Sequence, residues 1–207
     1  MIRSRAIPNV AFGTRNDGDG RNELDARREI SDELGISSDW ATISQVHGSH
    51  VVQADRPGNL GEADAVVTQH PSLPVAIATA DCVPIGLSGQ RTIALVHAGW
   101  RGVVNGVVPA TIASMEDLGD PATAAVIGPH IGACCYEVGD EVVDAVGASY
   151  RSTTTRGTQS VSLLEAVRDQ LGTIETETLF WCTLDDDRFN SHRRDGTSDR
   201  QVAVAWL

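Results

Sequence analysis

The segment DAVVTQHPSLPVAIATADCVPIGLSGQRTIALVHAGWRGVVNG, residues 64–106, is the part of the chain around which the fold is organised. Apolar runs at 65–68, 75–80 and 92–98 predict three strands separated by prolines and by a Ser-Gly-Gln turn, and a helix follows. Cys82 lies just after the second strand and His97 lies at the end of the third. Because α/β proteins place reactive groups at strand ends, both side chains are candidates for a functional site.

The composition describes an acidic globular protein of 207 residues with a net charge of -12. This charge argues against nucleic-acid partners and against an anionic membrane surface. The length suits one domain, residues 1–207. All 16 basic residues are arginines, so lysine Schiff bases and phosphate-loop lysines are excluded and any anionic ligand must be met by arginine or backbone amides.

The remaining elements follow from periodicity and from turn residues. Gly48 and Ser49 predict a tight hairpin joining strands 42–46 and 51–54, and Pro109 predicts a kink in a helix at 103–118. Ser162 is expected to begin a helix that runs to Leu171. The other predicted strands are 7–13, 124–127, 178–183 and 201–207, the other predicted helices are 23–34 and 140–150, and 152–160 is expected to be a polar connector.

The N-terminal residues are too polar for a signal peptide, and no apolar run reaches the ~20 residues of a membrane span, so we expect a cytoplasmic protein. Its four cysteines form no secreted disulfide framework and are interpreted as reduced thiols. Cys134 and Cys135 are adjacent. In a strand their side chains would point to opposite faces, and only one of them would reach a shared site.

His47, Cys82 and His97 each lie at or near a predicted strand end, beside small residues. Two imidazoles and a thiolate suit Zn²⁺ and leave a fourth position open, as in catalytic zinc sites. The spacing matches no short zinc motif, so separate packing or hydrogen-bonding roles are the favoured interpretation of spacing alone. A metal-free thiolate–imidazolium pair of Cys82 and His97 is a further alternative.

Five segments of the chain carry a family resemblance. The segments are QVHGSHVV (45–52), ADAVVTQHPSLPVAIATADCVPI (63–85), LVHAGWRGVVNGVV (95–108), IGPHIGACCYEVGDEV (127–142) and FNSHRRDGTSDRQVAVAWL (189–207). In these segments the chain resembles the laccase-domain (polyphenol oxidase, YfiH-like) family, whose members are described as purine nucleoside phosphorylases that also deaminate adenosine.

The resemblance implies a single-domain α+β fold with mixed β-sheets sandwiched between helices. It also implies a zinc ion held by His47, Cys82 and His97, which would be the catalytic centre. The expected substrates are inorganic phosphate and a purine nucleoside, namely adenosine, inosine and methylthioadenosine. Zinc would activate water for attack at C6 of adenosine, and phosphate would attack C1′ of the ribose. We expect a monomer or a homodimer.

Further residues are assigned to this expected chemistry. Asp81 would orient an imidazole ligand. Arg101 is the first candidate for binding phosphate, because a guanidinium can hold two phosphate oxygens, and Arg15 and Arg194 are weaker candidates. Copper ranks below zinc, because a multicopper oxidase needs many histidines and this chain has six scattered ones.

Two other functions stay open at this point. The first is a metal-free cysteine hydrolase or amidase that uses Cys82 and His97 on cell-wall precursors. The second is a nucleoside-binding module without catalysis, in which Trp100 stacks on a base.

Overall fold

The computed structural model describes residues 1–207, which form two six-stranded sheets, a hairpin and six α-helices. The helices are α1 (Leu24–Leu34), α2 (Trp100–Val104), α3 (Val107–Asp117), α4 (Asp140–Val146), α5 (Leu163–Leu171) and α6 (His192–Asp195), with a 3-10 turn at Ala148–Tyr150. The strands are β1 (Ile2–Arg3), β2 (Val10–Phe12), β3 (Ala41–Ser44), β4 (Val51–Gln53), β5 (Gly58–Glu62), β6 (Ala65–Thr68), β7 (Val75–Thr79), β8 (Val83–Ser88), β9 (Ile93–Ala98), β10 (Ala124–Ile127), β11 (Arg151–Thr153), β12 (Gln159–Val161), β13 (Glu175–Thr178) and β14 (Gln201–Ala205).

Both large sheets are mixed. The first has the order β1-β2-β14-β7-β3-β5, and the second has the order β13-β10-β8-β9-β6-β4. Strand β3 runs parallel to both of its neighbours, whereas β7 and β14 are antiparallel. In the second sheet, β8 and β9 are antiparallel with Pro84 opposite His97.

Side-chain alternation along the strands divides the core into layers. In β14, Val202 and Val204 pack with Trp40 and helix α1, whereas Ala203 and Ala205 face the second sheet. The first sheet is therefore covered by a helix on one face and by the second sheet on the other.

The second sheet repeats this arrangement. Ile93 and Leu95 of β9 face the first sheet, and Ala94 and Val96 pack against helices α2 to α5. The order of layers is α1, first sheet, second sheet, helices. The predicted α+β fold, with mixed sheets sandwiched between helices in a single domain, is confirmed. None of the helices combines the length and the apolar character needed to cross a bilayer.

The predicted hairpin at 42–54 is wrong. Strand β3 pairs with β5 and β7 in the first sheet, whereas β4 pairs with β6 in the second sheet. The residues between β3 and β4, which include His47, therefore cross from one sheet to the other.

Further details differ from the sequence prediction. The strand predicted at 178–183 lies earlier, at β13 (Glu175–Thr178). The segment after Cys82 forms an additional strand, β8, despite Pro84. The predicted helix at 103–118 is two helices that break at Gly106, so Pro109 lies in the first turn of α3, where its missing N–H costs no helical bond. The segment expected to be a polar connector forms the hairpin β11–β12. The predicted helix start at Ser162 is confirmed, since its side chain accepts a hydrogen bond from the N–H of Glu165.

Candidate metal centre and adjoining cavity

Three donor side chains meet at the junction of the two sheets. His47 lies in the crossing segment after β3, Cys82 lies in the link from β7 of the first sheet to β8 of the second, and His97 lies in β9. Their donor atoms all lie within 4.8 Å of one another, and Nε2 of His47 is 3.8 Å from Sγ of Cys82. The structure therefore brings together the three residues selected from the sequence.

Asp64 is bonded to both histidines, to the ring of His97 and to the backbone of His47. Its buried carboxylate lies 2.8 Å from Nδ1 of His97 and accepts hydrogen bonds from the backbone N–H groups of His47 (2.9 Å) and Gly48 (2.6 Å). Because Nδ1 of His97 is engaged, its Nε2 is the ring nitrogen left to bind a ligand. Burial raises the pKa of Asp64, but these hydrogen bonds outweigh burial and lower it.

The predicted contact of Asp81 with an imidazole is absent. One carboxylate oxygen of Asp81 accepts a hydrogen bond from the Thr183 hydroxyl (2.7 Å), and the other accepts one from the backbone N–H of Arg193 (2.7 Å). Asp81 therefore ties the strand end beside Cys82 to the C-terminal part of the chain. Asp64, which we did not select from the sequence, occupies the position beside His97.

The backbone around the donors is strained and crowded. His47 and Asp81 have backbone φ angles of 61° and 86°, which residues other than glycine rarely adopt. A Cβ atom at Gly99 would lie 2.8 Å from Cδ2 of His47 and 3.1 Å from Sγ of Cys82. Only glycine leaves room at this position for the two donors.

Cys82 and His97 form an ion pair when no metal is bound. Burial raises the pKa of the Cys82 thiol, but the charge on His97 and hydrogen bonds with both imidazoles outweigh burial and lower the pKa to about 6. Burial likewise lowers the pKa of His97, and the Cys82 thiolate and the Asp64 carboxylate outweigh it and raise the pKa to about 9. At neutral pH the thiol is therefore ionised, which is the form that binds metals and attacks electrophiles.

A cavity of about 450 Å³ opens beside the three donors. Trp100 and Tyr136 contribute aromatic rings to its wall. The charged residues that line it are Arg21, Arg101, Arg193, Arg200 and a single carboxylate, Asp81. The whole chain has a net charge of -12, so this excess of arginine is local and favours an anionic ligand.

The four arginines of the cavity differ in what they bind. The guanidinium groups of Arg193 and Arg200 donate to backbone carbonyls, and that of Arg21 bonds Asp19 and Gln45. The guanidinium of Arg101 makes no hydrogen bond or ion pair and lies over the Trp100 ring at 4.4 Å. Arg101 is therefore the cavity arginine whose guanidinium has all of its donors free for a ligand, whereas the other three each use at least one donor on the protein.

The weaker arginine candidates lie outside the cavity lining. Arg15 bonds the carbonyl of Asp187 and the carboxylate of Asp195. Arg194 donates to three backbone carbonyls, those of Thr183, Leu184 and Phe189. Both side chains serve to hold the C-terminal loop. Arg21, Arg193 and Arg200 were missed, although the excess of arginine over lysine was a signal that arginine would line any anion site.

The donor set fits a zinc ion. Two imidazole nitrogens and one thiolate are ordinary zinc ligands, and three protein ligands leave one tetrahedral position free. The hydrogen bond from His97 to Asp64 is the kind of support that metal-ligating histidines have. The open position would face the cavity, because all three donors line it.

A second group of donors lies elsewhere. The sulfur atoms of Cys134, Cys135 and Cys182 all lie within 4.8 Å of one another. The expectation that only one of the adjacent cysteines could reach a shared site is wrong, because Cys134 and Cys135 lie in a turn and not in a strand.

Comparison with known proteins gives a family match over nearly the whole chain. Residues 7–207 match the family described as multi-copper polyphenol oxidoreductase laccase. The chain is 34% identical to a purine nucleoside phosphorylase of Pseudomonas aeruginosa, covering 100% of this chain and 89% of the relative. It is 36% identical to one of Streptomyces coelicolor, covering 92% and 85%.

Solved structures share the fold. YlmD from Geobacillus stearothermophilus superposes with a TM-score of 0.86 at 25% identity, covering 99% of this chain and 94% of that protein. The hypothetical protein YfiH of Bacillus licheniformis superposes with a TM-score of 0.84 at 24% identity, covering 96% and 92%.

Proposed function

The chain belongs to the multi-copper polyphenol oxidoreductase laccase family, and from this premise we propose that it is a zinc-dependent purine nucleoside phosphorylase with adenosine deaminase activity. Relatives at 34–36% identity are named purine nucleoside phosphorylases, which supports an enzyme that acts on nucleosides and phosphate. The proposed substrates are adenosine, inosine and methylthioadenosine.

The observation that carries the proposal is the convergence of His47, Cys82 and His97 beside a cavity, with Asp64 bonded to both imidazole-bearing residues. Bound Zn²⁺ would supply a Lewis acid that activates water and polarises an oxygen of the substrate. The residues of the chain then have separate tasks: Asp64 keeps the proton of His97 on Nδ1, and the thiolate of Cys82 neutralises part of the ion's charge.

Zinc fits these donors better than copper. Copper electron-transfer sites that use two histidines and a cysteine add a weak axial ligand, usually methionine. The chain has two methionines. The amino group of Met1 bonds Glu33 at the surface, and Met115 is buried between the second sheet and its helices. Neither side chain lines the cavity.

Arg101 is the proposed contact for inorganic phosphate. Its guanidinium lines the cavity without a protein partner, and it can offer two parallel N–H donors to phosphate oxygens. Its position over the Trp100 ring holds the guanidinium plane without using any of these donors. Arg21, Arg193 and Arg200 add positive charge, which would draw phosphate into the cavity of an otherwise acidic protein.

The nucleoside would occupy the rest of the cavity. A volume of about 450 Å³ lies in the range of small-molecule sites, roughly 300–1,000 Å³. Trp100 and Tyr136 offer faces on which a purine can stack. Burial raises the pKa of Tyr136 to about 12, so its hydroxyl stays protonated at neutral pH and can donate a hydrogen bond to the ligand.

One observation favours a second function. The lowered pKa of Cys82 and the raised pKa of His97 describe a thiolate–imidazolium pair, and Asp64 orients His97 as the third member of a catalytic triad would. This arrangement suits a metal-free cysteine hydrolase or amidase. His47 weighs against it, because a nucleophile needs one imidazole and here two converge on the thiol.

The deciding experiment measures zinc per chain by mass spectrometry and adenosine turnover with and without phosphate. We expect about one zinc in this site, lost together with turnover in His47→Ala and in Cys82→Ala. His50→Ala is the matched control: His50 lies three residues from His47, but its Nδ1 contacts the carbonyl of Glu62. Full activity after chelation, with rapid alkylation of Cys82, would establish the hydrolase instead.

Arg101→Ala tests the phosphate contact. We expect the KM for phosphate to rise at least about tenfold, with a smaller change for the nucleoside. Arg15→Ala is the control, since it removes an exposed arginine that contacts the C-terminal loop outside the cavity. Equal changes in both KM values for Arg101→Ala would count against a phosphate-specific role.

A further inference from the structure

A cluster of three free thiols lies outside the cavity described above. Cys134 and Cys135 belong to the turn that follows β10, and Cys182 follows β13. None of the three lines the cavity. Cys134 and Cys182 are half-buried and Cys135 is buried, so the cluster is partly accessible to solvent.

The backbone holds the two segments of the cluster together. The N–H of His130 donates to the carbonyl of Trp181 at 3.2 Å, and the N–H of Thr183 donates to the carbonyl of His130 at 3.0 Å. The N–H of Cys135 donates to the carbonyl of Gly132, which closes the turn that carries both adjacent cysteines. These backbone hydrogen bonds therefore fix the two segments that carry the three cysteines relative to each other.

The separations of the sulfurs suit a single ion. With a sulfur-to-metal distance of about 2.3 Å, three sulfurs in a planar trigonal site lie about 4.0 Å from one another. Cys134 and Cys135 have their sulfurs 3.0 Å apart, and no pair of the three exceeds 4.8 Å. These two limits bracket the trigonal value, so side-chain shifts of about 1 Å complete the site.

Gly132 places an amide donor beside this cluster. Its backbone N–H donates to Sγ of Cys182 at 3.3 Å. A Cβ atom at Gly132 would lie 3.2 Å from Sγ of Cys134 and 3.7 Å from Sγ of Cys182. The glycine therefore lets an amide approach the sulfurs closely.

The ligand set selects the class of ion. The cluster has three sulfurs and neither an imidazole nor a carboxylate within the same distance. Hard ions such as Mg²⁺ and Ca²⁺ need oxygen ligands, and structural zinc sites almost always have four protein ligands. Thiolates alone, three in number, suit a soft ion that accepts low coordination. We propose that Cys134, Cys135 and Cys182 form a second metal site that binds Cu(I) through three sulfurs.

Binding at this site would join two parts of the chain. Each thiol gives up its proton to solvent as its sulfur binds the ion, with no change in oxidation state. The ion would link the turn that carries Tyr136 to the segment that carries Thr183, which bonds Asp81. The Cu(I) site would thus stabilise the wall of the cavity from outside the cavity.

The test titrates Cu(I) into reduced protein under anaerobic conditions, in competition with a chromogenic Cu(I) chelator. Cys82→Ala is the starting variant, because it removes the thiol of the other donor set. We expect one Cu(I) per chain in Cys82→Ala, with three sulfur neighbours in X-ray absorption spectra. Adding Cys182→Ala should weaken binding by about 100-fold or more. If circular dichroism shows that this double variant folds poorly, Cys134→Ala takes the place of Cys182→Ala, and we expect the same loss of Cu(I) affinity.

Three outcomes would overturn the proposal. The first is unchanged Cu(I) affinity after loss of Cys182 or Cys134. The second is nitrogen among the neighbours of the bound ion, which would place it at the histidines. The third is tight binding of Zn²⁺ that Cu(I) does not displace. None of these results bears on phosphorolysis, because the zinc content and turnover of the unaltered protein are measured separately.

Discussion

The carboxylate of Asp64 lies 2.8 Å from Nδ1 of His97, and both side chains are buried. The same carboxylate accepts a hydrogen bond from the backbone N–H of His47, so one charged group is bonded to the ring of one histidine and to the backbone of the other. His47 lies in the segment that crosses between the sheets, and His97 lies within the second sheet. Asp64 therefore sets the geometry of the donor set across two elements that share no strand pairing.

Asp64→Asn should weaken zinc binding by about 10–100-fold, because an amide offers one acceptor oxygen where the carboxylate uses two. Competition with a chromogenic chelator measures the affinity. Asp120→Asn is the control: Asp120 is another buried aspartate, which accepts the N–H groups of Gln90 and Arg91 away from the cavity. The control should lose stability and keep its zinc affinity. Wild-type zinc affinity in Asp64→Asn would contradict the role given to Asp64.

Gly99→Ala should abolish zinc binding while the protein stays folded. The new Cβ would lie 2.8 Å from His47 and 3.1 Å from Sγ of Cys82, so the two donors must move apart. Zinc per chain and the circular dichroism spectrum are the measurements. Gly61→Ala provides the comparison, because Gly61 has a φ of 95° and no atom close to the added carbon. It should lower stability through backbone strain alone and leave zinc content unchanged.

Alkylation of Cys82 in metal-free protein should depend on pH with a midpoint near 6. The thiolate is the reactive form, and the pKa of Cys82 is lowered to about 6, whereas an ordinary thiol titrates near ~8.5. The rate should therefore rise from about pH 5 and be close to its maximum by about pH 7. Mass spectrometry of the Cys82 peptide follows the reaction with iodoacetamide.

Two comparisons test the cause of this low midpoint. His97→Gln removes the imidazolium charge, so the midpoint should move upward. Added zinc should protect Cys82 at every pH tested. A midpoint near ~8.5 in the unaltered chain would show that the ion pair does not form.

Glu177→Gln should reduce stability near neutral pH and have little effect in acid. Burial raises the pKa of Glu177, but hydrogen bonds from Ser4 and from the N–H groups of Arg5 and Ala6 outweigh burial and lower it. A carboxyl group whose pKa is lower in the folded state stabilises the protein above its unfolded pKa of about 4.3. This contribution is lost as the pH falls through the folded pKa.

Urea denaturation near pH ~7 and near pH ~3 measures the effect. At the higher pH we expect the free energy of unfolding of Glu177→Gln to be about 1 kcal/mol below that of the unaltered protein. This value is at the low end for hydrogen bonds to a charged group, because Glu177 is partly exposed to solvent. Glu175→Gln is the matched control, since Glu175 is exposed on the same strand. Equal losses at both pH values would mean that packing, and not charge, is responsible.

The three donors could be selected from the sequence because each follows or ends a recognisable apolar run, whereas their partner could not. Asp64 stands 17 residues from His47 and 33 from His97 along the chain, and only the pairing of strands brings it near them. The one feature of the sequence that could have indicated Asp64 is that it is a lone carboxylate at the start of a buried strand. Asp81, adjacent to Cys82, was the closer carboxylate in sequence, but its side chain turns toward Thr183.

The errors in secondary structure have a similar origin. Gly48 and Ser49 are good hairpin residues, but local turn chemistry cannot reveal that β3 and β4 belong to different sheets. Pro84 was interpreted as one of the residues that separate the predicted strands. It is the second residue of β8, close enough to the start that the missing N–H is tolerated inside a central strand.

The arginines of the cavity show the same limit. Arg21 is far in sequence from Arg193 and Arg200, which share the segment before β14, and nothing in their local context separates these three from Arg15 or Arg194. These three arginines can be recognised as cavity residues only from the tertiary structure.

The position of β14 bears on how the protein is made. This strand, Gln201–Ala205, lies between β2 and β7 in the middle of the first sheet, although it is the last strand to be synthesised. Until residue 205 has left the ribosome, the first sheet stays in two parts, β1-β2 and β7-β3-β5, and cannot cover the second sheet. The donor set lies at the junction of these sheets, so we expect zinc to be acquired only after β14 has been synthesised.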